Sequence, residues 1–216
     1  MNTEKTNRLL DRVAIVTGAG SRDSPNDPDI VGNGRAASIL LARAGAFVVL
    51  VDVNESWARR TQRLIESAPP ELDHGPDRTL IIRADVTRPS DCEAVVKTTL
   101  ERWGRLDILV NNVGIGGADG TAVEVEVEEW RKGMDVNVLS MVLMAKYAIP
   151  EMQRTSPSDI SRGSGKAIVN MSSVAGMQGG KRDLRLMLSA MSAYNLHCLQ
   201  AFPPSSIPLP KEPLSV

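Results

Sequence analysis

The chain has 216 residues, 42% of them hydrophobic and 24% charged, and 25 basic against 26 acidic side chains leave a formal net charge of −1. That length suits about one domain, and the composition excludes a largely disordered or collagen-like chain. The near-neutral charge offers no footprint for nucleic acid or an anionic membrane, and the longest apolar run, 46–51, is too short to span a bilayer. Cys92 and Cys198 lie far apart, so no metal pair or disulfide framework is expected, which suits a reducing compartment. The polar start, MNTEKTNRLLDR, has no apolar h-region. These features together predict a cytoplasmic protein. With only 3% aromatics, the core must be aliphatic.

From residue 13 to about 172, strands and helices alternate. VAIVT (13–17) is a β-branched run ending in glycines, hence a buried strand. A helix is predicted over 35–46, with Ile39, Leu40 and Ala44 at helical spacing and Gly45 as its stop. FVVLV (47–51) is a second strand, and 56–67 a polar-faced helix closed by Pro69 and Pro70. TLIIR (79–83) is a third strand. A helix follows over 90–103, capped by Ser90 or Asp91 and stopped by Gly104. DILVN (107–111) is a fourth strand and AIVNM (167–171) a fifth. Between them one long helix is predicted, about 128–153, with Trp130, Met134, Met141, Ala145 and Ala148 on one stripe. VEVEVE (123–128) alternates like a strand, but a glutamate-faced edge has no partner here, so it reads as a loop. Strands joined by helical crossovers imply an α/β fold with a doubly wound parallel sheet. A polar loop, 21–29, interrupts the first strand-to-helix turn, and the tail 201–216 holds five of the 13 prolines. The tail cannot be a helix or a central strand.

TGAG (17–20) follows the first strand, and GNG (32–34) opens the first helix. Glycines there let the backbone approach a pyrophosphate, and a helix N-terminus supplies N–H donors and partial positive charge. Asp52 ends the second strand 20 residues beyond Gly32. A carboxylate so placed accepts bonds from both ribose hydroxyls and repels a 2′-phosphate, which favours NAD and leaves NADP as the second choice. Gly18, Gly20, Gly32 and Gly34 are the expected cofactor glycines. Gly163-Ser164-Gly165-Lys166 resembles the end of a phosphate-binding P-loop, but Ile160 and Ala167 stand where the pattern needs Gly and Ser or Thr. No metal site is expected.

Together, TGAG with GNG, ADV (84–86), NNVG (111–114), Asn137 and IVNMSS (168–173) resemble the short-chain dehydrogenase/reductase family over about residues 10–180. The resemblance implies a Rossmann-type fold and an oxidoreductase moving hydride between a nicotinamide and a small alcohol or ketone. It implies that Asp85 meets the adenine edge with Val86 beside it. Asn112 and Gly114 would line the adenine ribose, and Val31, Gly32 and Asn33 would flank the phosphates. Asn137 would hold a water in a proton relay, and Ser173, with Ser172 beside it, would orient the substrate oxygen. A homo-oligomer is compatible with the family, with an altered interface.

Two departures are visible. The glycine turn is split by a longer loop, and Ile30 stands where another glycine is expected, which predicts a looser approach to the pyrophosphate. After Gly180 the family's Tyr-x-x-x-Lys pair is not found: thirteen residues beyond Ser173 stands Leu186. Tyr194 lies 21 residues beyond Ser173, and Cys198, not lysine, follows four later. Tyr194 is either a core or surface aromatic, or a displaced catalytic tyrosine helped by Lys181, Arg182 or Arg185. The sequence thus divides into a dinucleotide-binding part, 1–180, a divergent helix, 181–200, and the proline-rich tail, 201–216. The expected sheet is C-terminally incomplete, ending at an unpaired fifth strand, and the sequence parts from its family near 180 through splicing, a frame change or a gene-model error. The alternative to an impaired oxidoreductase is an inactive dinucleotide-binding remnant or an interaction protein.

Overall fold

The computed structural model describes residues 8–21, 31–67, 77–121, 123–154 and 165–173. The proposed helix 181–200, the tail 201–216, most of loop 21–29 and Tyr194 lie outside the described residues. The elements in chain order are β1 (Val13–Thr17), α1 (Asn33–Arg43), β2 (Phe47–Asp52), α2 (Glu55–Glu66), β3 (Thr79–Arg83), α3 (Pro89–Trp103), β4 (Ile108–Asn111), α4 (Val127–Met134), α5 (Ser140–Gln153) and β5 (Ala167–Asn170). The five strands form one parallel sheet in the order β3-β2-β1-β4-β5. The doubly wound α/β expectation therefore holds.

Strand alternation explains why helices cover both faces. Val49 and Val51 pack on one face with Ile15, Leu109, Val95 of α3 and Met144 of α5. Val48 and Leu50 pack on the other with Val16, Val110, Ala42 of α1 and Ala58 of α2. These strand side chains are wholly or almost wholly buried, each contributing roughly 1.5–3 kcal/mol of hydrophobic stabilisation. Parallel strands covered twice need such unbroken apolar runs.

Three local readings change. The helix over 89–103 starts at Pro89 after Arg88, whose side chain makes no capping bond, so neither Ser90 nor Asp91 is the cap. Proline is well suited to that first position, where its missing N–H has no helical acceptor. Asp91 instead accepts from the Asp85 N–H at 2.9 Å. The long helix is not uniform: a π-helical turn, Asp135–Leu139, joins α4 to α5. The loop reading of 123–128 holds until Val127, where α4 begins. Gly45 and Gly104 end their helices as expected, both with positive φ.

At the end of the sheet away from the glycine turn, Asp107 is fully buried. Its carboxylate accepts from Arg105 at 2.6 and 2.7 Å, from Arg12 at 3.0 Å and from the Val13 N–H at 2.9 Å. This cluster staples the start of β4 to the start of β1.

Candidate functional site

The strand order turns around between β1 and β4, which are neighbours although two strands intervene in sequence. Their crossovers leave in opposite directions, so a crevice opens beyond their carboxyl ends. Thr17, Val51, Asn111 and Asn170 align there in register.

The glycine turn lies at this crevice. Gly18 has φ +63, which favours glycine. A Cβ on Gly34 would lie 1.9 Å from the Gly18 carbonyl oxygen and 2.4 Å from Asn112 Nδ2, so α1 starts hard against β1's end. No side chain caps α1, and its first turn holds no acid. An uncapped helix N-terminus over a side-chain-free turn presents N–H groups and positive potential to an anion. The two described ends of the split turn lie close together. Ser21 and Gly32 meet across the interruption, the Gly32 N–H donating to Ser21 Oγ at 3.1 Å. Val31 is about half-exposed beside them, and Asn33 borders the crevice.

Asp52 is buried at β2's end. One carboxylate oxygen accepts from the Gly20 N–H and the other from the Asn54 N–H, both at 2.9 Å. Each oxygen has a second lone pair for another donor. Gly20 cannot carry a side chain, since its Cβ would lie 2.5 Å from Trp57 Cβ and 2.8 Å from Asp52. Asp85 sits beyond β3 in a hollow of about 340 Å³ shared with Val53, Arg83, Arg88 and Asp91. The Thr87 hydroxyl donates to Asp85 at 2.7 Å and the Thr87 N–H at 3.0 Å. The hydroxyl bond is the main reason the Asp85 carboxyl titrates below its ordinary value; Arg88 adds to it. Val86 is buried and its carbonyl accepts from the Cys92 thiol at 3.3 Å. Burial, with Asp91 and Asp85 nearby, pushes that thiol up to about 11, so Cys92 is not a thiolate at neutral pH.

A second hollow, about 290 Å³, lies on the other side of the turn. Asn33, Asn112, Gly114, Asn137, Ser172 and Ser173 all border it. The structure thus brings together residues from α1, the β4 end, the π-turn and the β5 end. Two of the three asparagines, Asn112 and Asn137, bond to the backbone around the hollow. Asn112 Nδ2 donates to the Gly18 and Thr17 carbonyls at 3.1 and 3.3 Å, while its N–H donates to the Thr17 hydroxyl at 3.1 Å. Asn137 accepts from the Ile115 N–H at 2.8 Å and donates to the Ile115 carbonyl at 3.0 Å. Its amide therefore clamps one residue, Ile115, of the loop after β4 to the π-turn. Among the described residues no group of side chains could hold a metal ion, and no helix is long and apolar enough to cross a membrane.

A family model described as enoyl-(acyl carrier protein) reductase matches residues 31–193, three quarters of the chain. The chain belongs to the short-chain dehydrogenase/reductase family. Curated short-chain relatives include a short-chain dehydrogenase/reductase of Aspergillus oryzae, 33% identical over 76% of this chain and 54% of its own. Another is the trans-4-hydroxycyclohexanecarboxylate dehydrogenase of Sinomonas cyclohexanicum, 32% identical over 82% of this chain and 60% of its own. Among solved structures, a 3-ketoacyl-(acyl-carrier-protein) reductase from Brucella melitensis, complexed with NADH, superposes with a TM-score of 0.67. It is 30% identical, over 86% of this chain and 66% of that one. The chain thus spans somewhat over half the length of the curated relatives it matches.

Several site residues of this short-chain chain escaped the sequence. Thr61 and Arg35 support the glycine turn from α2 and α1, and Asn111 Nδ2 donates across strands to Asn170 Oδ1 at 2.8 Å. Arg35 and Thr61 are polar residues among other polar residues on their helices, and only the fold shows that they are buried.

Proposed function

We propose that the chain binds a nicotinamide dinucleotide, NAD in preference to NADP, at the crevice between β1 and β4. The observation that carries this reading is the contact of Gly34 with Gly18, which no residue with a side chain could make. It sets the uncapped α1 N-terminus beside the turn, with Asp52 one strand away. In this reading Gly18, Gly20, Gly32, Gly34, Val31 and Asn33 cradle the phosphates. Asp52 takes the ribose hydroxyls and disfavours a 2′-phosphate by like-charge repulsion. Asp85 and Val86 border the adenine, and Asn112 and Gly114 the ribose.

The chemistry proposed is hydride transfer between the nicotinamide and a small alcohol or ketone. Ser173, with Ser172 beside it, orients the substrate oxygen from the same hollow as Asn137. Such a reaction needs a group that takes or gives the alcohol proton. A phenol of pKa about 10 does so near neutral pH only when a cation stabilises its phenolate. Leu186 stands where the family's tyrosine is expected, and Cys198 follows Tyr194 at the lysine spacing. This specific observation supports a second reading of the same site: a dinucleotide-binding protein with little turnover. Losing a positioned acid/base costs roughly 10²–10⁴ in rate.

The test is NADH oxidation with a panel of small cyclic and acyclic ketones, comparing wild type with Tyr194→Phe. A rate reduced by about 10²–10⁴ from an ordinary dehydrogenase, and unaltered in Tyr194→Phe, is the expected result. A rapid wild-type rate that Tyr194→Phe abolishes would assign the displaced tyrosine to catalysis and contradict the low-turnover reading.

A further inference from the structure

The glycine turn is built from two stretches separated by ten residues, 22–31. Such a break would let the turn drift, yet three buried polar side chains close it. Ser21 joins the two halves, its hydroxyl accepting from the Gly32 N–H. Thr61 is fully buried on α2, and its hydroxyl donates to the Ala19 carbonyl at 2.8 Å. The same oxygen accepts from Arg35 Nε at 3.2 Å. Arg35, 2% exposed, also donates through Nη2 to the Ser21 carbonyl at 3.0 Å.

We infer that Arg35 and Thr61 are positioning residues that hold the split phosphate turn from behind. Their bonds hold the Ala19 and Ser21 carbonyls on buried donors of α2 and α1. Neither oxygen then faces a bound anion, which it would repel. The threonine hydroxyl is the hinge of the relay, because it accepts from one side and donates to the other. Burial raises the stake: a guanidinium that loses a bond here has no water to replace it. Arg35 is part of α1, the helix whose N-terminus faces the turn, so the bracket also sets the helix start against Ser21. The inference rests on the dinucleotide reading above and adds to it the residues that make a split turn competent.

The arm from Arg35 to Ser21 touches only the phosphate part of the site. The Thr61 arm ends on the Ala19–Gly20 peptide, whose N–H donates to Asp52, so adenosine feels its loss only through that one bond and should weaken less than NADH. Wild type, Thr61→Val, Thr61→Ser and Arg35→Lys are each titrated with NADH and separately with adenosine, following tryptophan fluorescence and melting temperature. Thr61→Val keeps the shape and removes the hydroxyl. It should weaken NADH by roughly five- to tenfold, the worth of one net hydrogen bond, and adenosine by clearly less. Thr61→Ser, which restores the hydroxyl, should recover NADH binding. Arg35→Lys cannot bond Thr61 and Ser21 together as the planar guanidinium does, and should show the same selective loss. Should Thr61→Val not fold, Arg35→Lys decides on the same criterion. NADH affinity equal to wild type, or NADH and adenosine weakened in the same proportion, would overturn the bracket. Failure of wild type to bind NADH at all would instead overturn the dinucleotide reading beneath it.

Discussion

Gly34 and Gly104 lack side chains for different reasons, and the difference is measurable. At Gly34 the space is filled: a Cβ would overlap backbone at 1.9 Å and the Asn112 amide at 2.4 Å. At Gly104 the space is open, with nothing within 4 Å, but φ is +69. Gly104→Ala should therefore cost only the left-handed strain, about 1–2 kcal/mol. Gly34→Ala must push α1 away from β1, at roughly 3 kcal/mol or more. Urea midpoints of the two variants check this, and equal losses would contradict the close approach at Gly34. The need for glycine at 34 was legible in the sequence because a close approach leaves a compositional trace. The Asn112 amide that occupies the remaining space was not, because only the fold brings it there. Asn137 is similar: its place in the long helix was readable, its clamp on Ile115 was not.

Among the described elements, the strands and helices followed their periodicities to within three residues, since each buried run needs a fixed pattern of apolar positions. The exceptions have local causes. The π-turn at Asp135–Leu139 interrupts the α-helical ladder over only five residues, too short a stretch for periodicity to reveal. Sequence distance also hides that Ser21 and Gly32 touch across the split turn. The pairing of β1 with β4 is also invisible in order of residues, yet Asp107 marks it. Burial alone would raise the Asp107 carboxyl, but the Arg105 bonds, the Val13 N–H and Arg12 outweigh it and leave it below its ordinary value. A folded pKa lowered below the unfolded one stabilises the fold above the unfolded pKa. That contribution is lost as pH falls through the folded value. Wild type should accordingly lose stability as pH drops below about 4, the unfolded aspartate value. Asp107→Asn should remove that part of the acid dependence and cost about 3 kcal/mol at pH 7 by leaving Arg12 and Arg105 without their shared anion. Denaturation curves between pH 7 and pH 3 test it. An Asp107→Asn protein as stable as wild type at pH 7 would contradict the staple.

For the molecule as a whole, a sheet ordered β3-β2-β1-β4-β5 fixes where a ligand can enter. The turning point in strand order puts the glycine turn, the Asp52 carboxylate and the hollow by Ser172 and Ser173 at one end of the sheet. The arginine–aspartate staple holds the other end. Membership of the short-chain family and the doubly wound sheet were legible because motifs and strand runs are local in sequence. The expected departure at the acid/base pair, Leu186 at the tyrosine's spacing, falls outside the described residues. What the site does with its dinucleotide depends on residues that meet only after folding.

The central claim is that this crevice holds NAD. The most direct measurement is a titration of the purified chain with NADH and with NADPH, reading nucleotide fluorescence and melting temperature together. A ligand that binds only the folded chain raises the melting temperature once its concentration exceeds its dissociation constant. The account predicts saturable binding with a rise for NADH, a smaller one for NADPH, and a narrowed difference in Asp52→Ser, where the carboxylate that disfavours the 2′-phosphate is gone. Soluble, folded protein that shifts with neither nucleotide would contradict it.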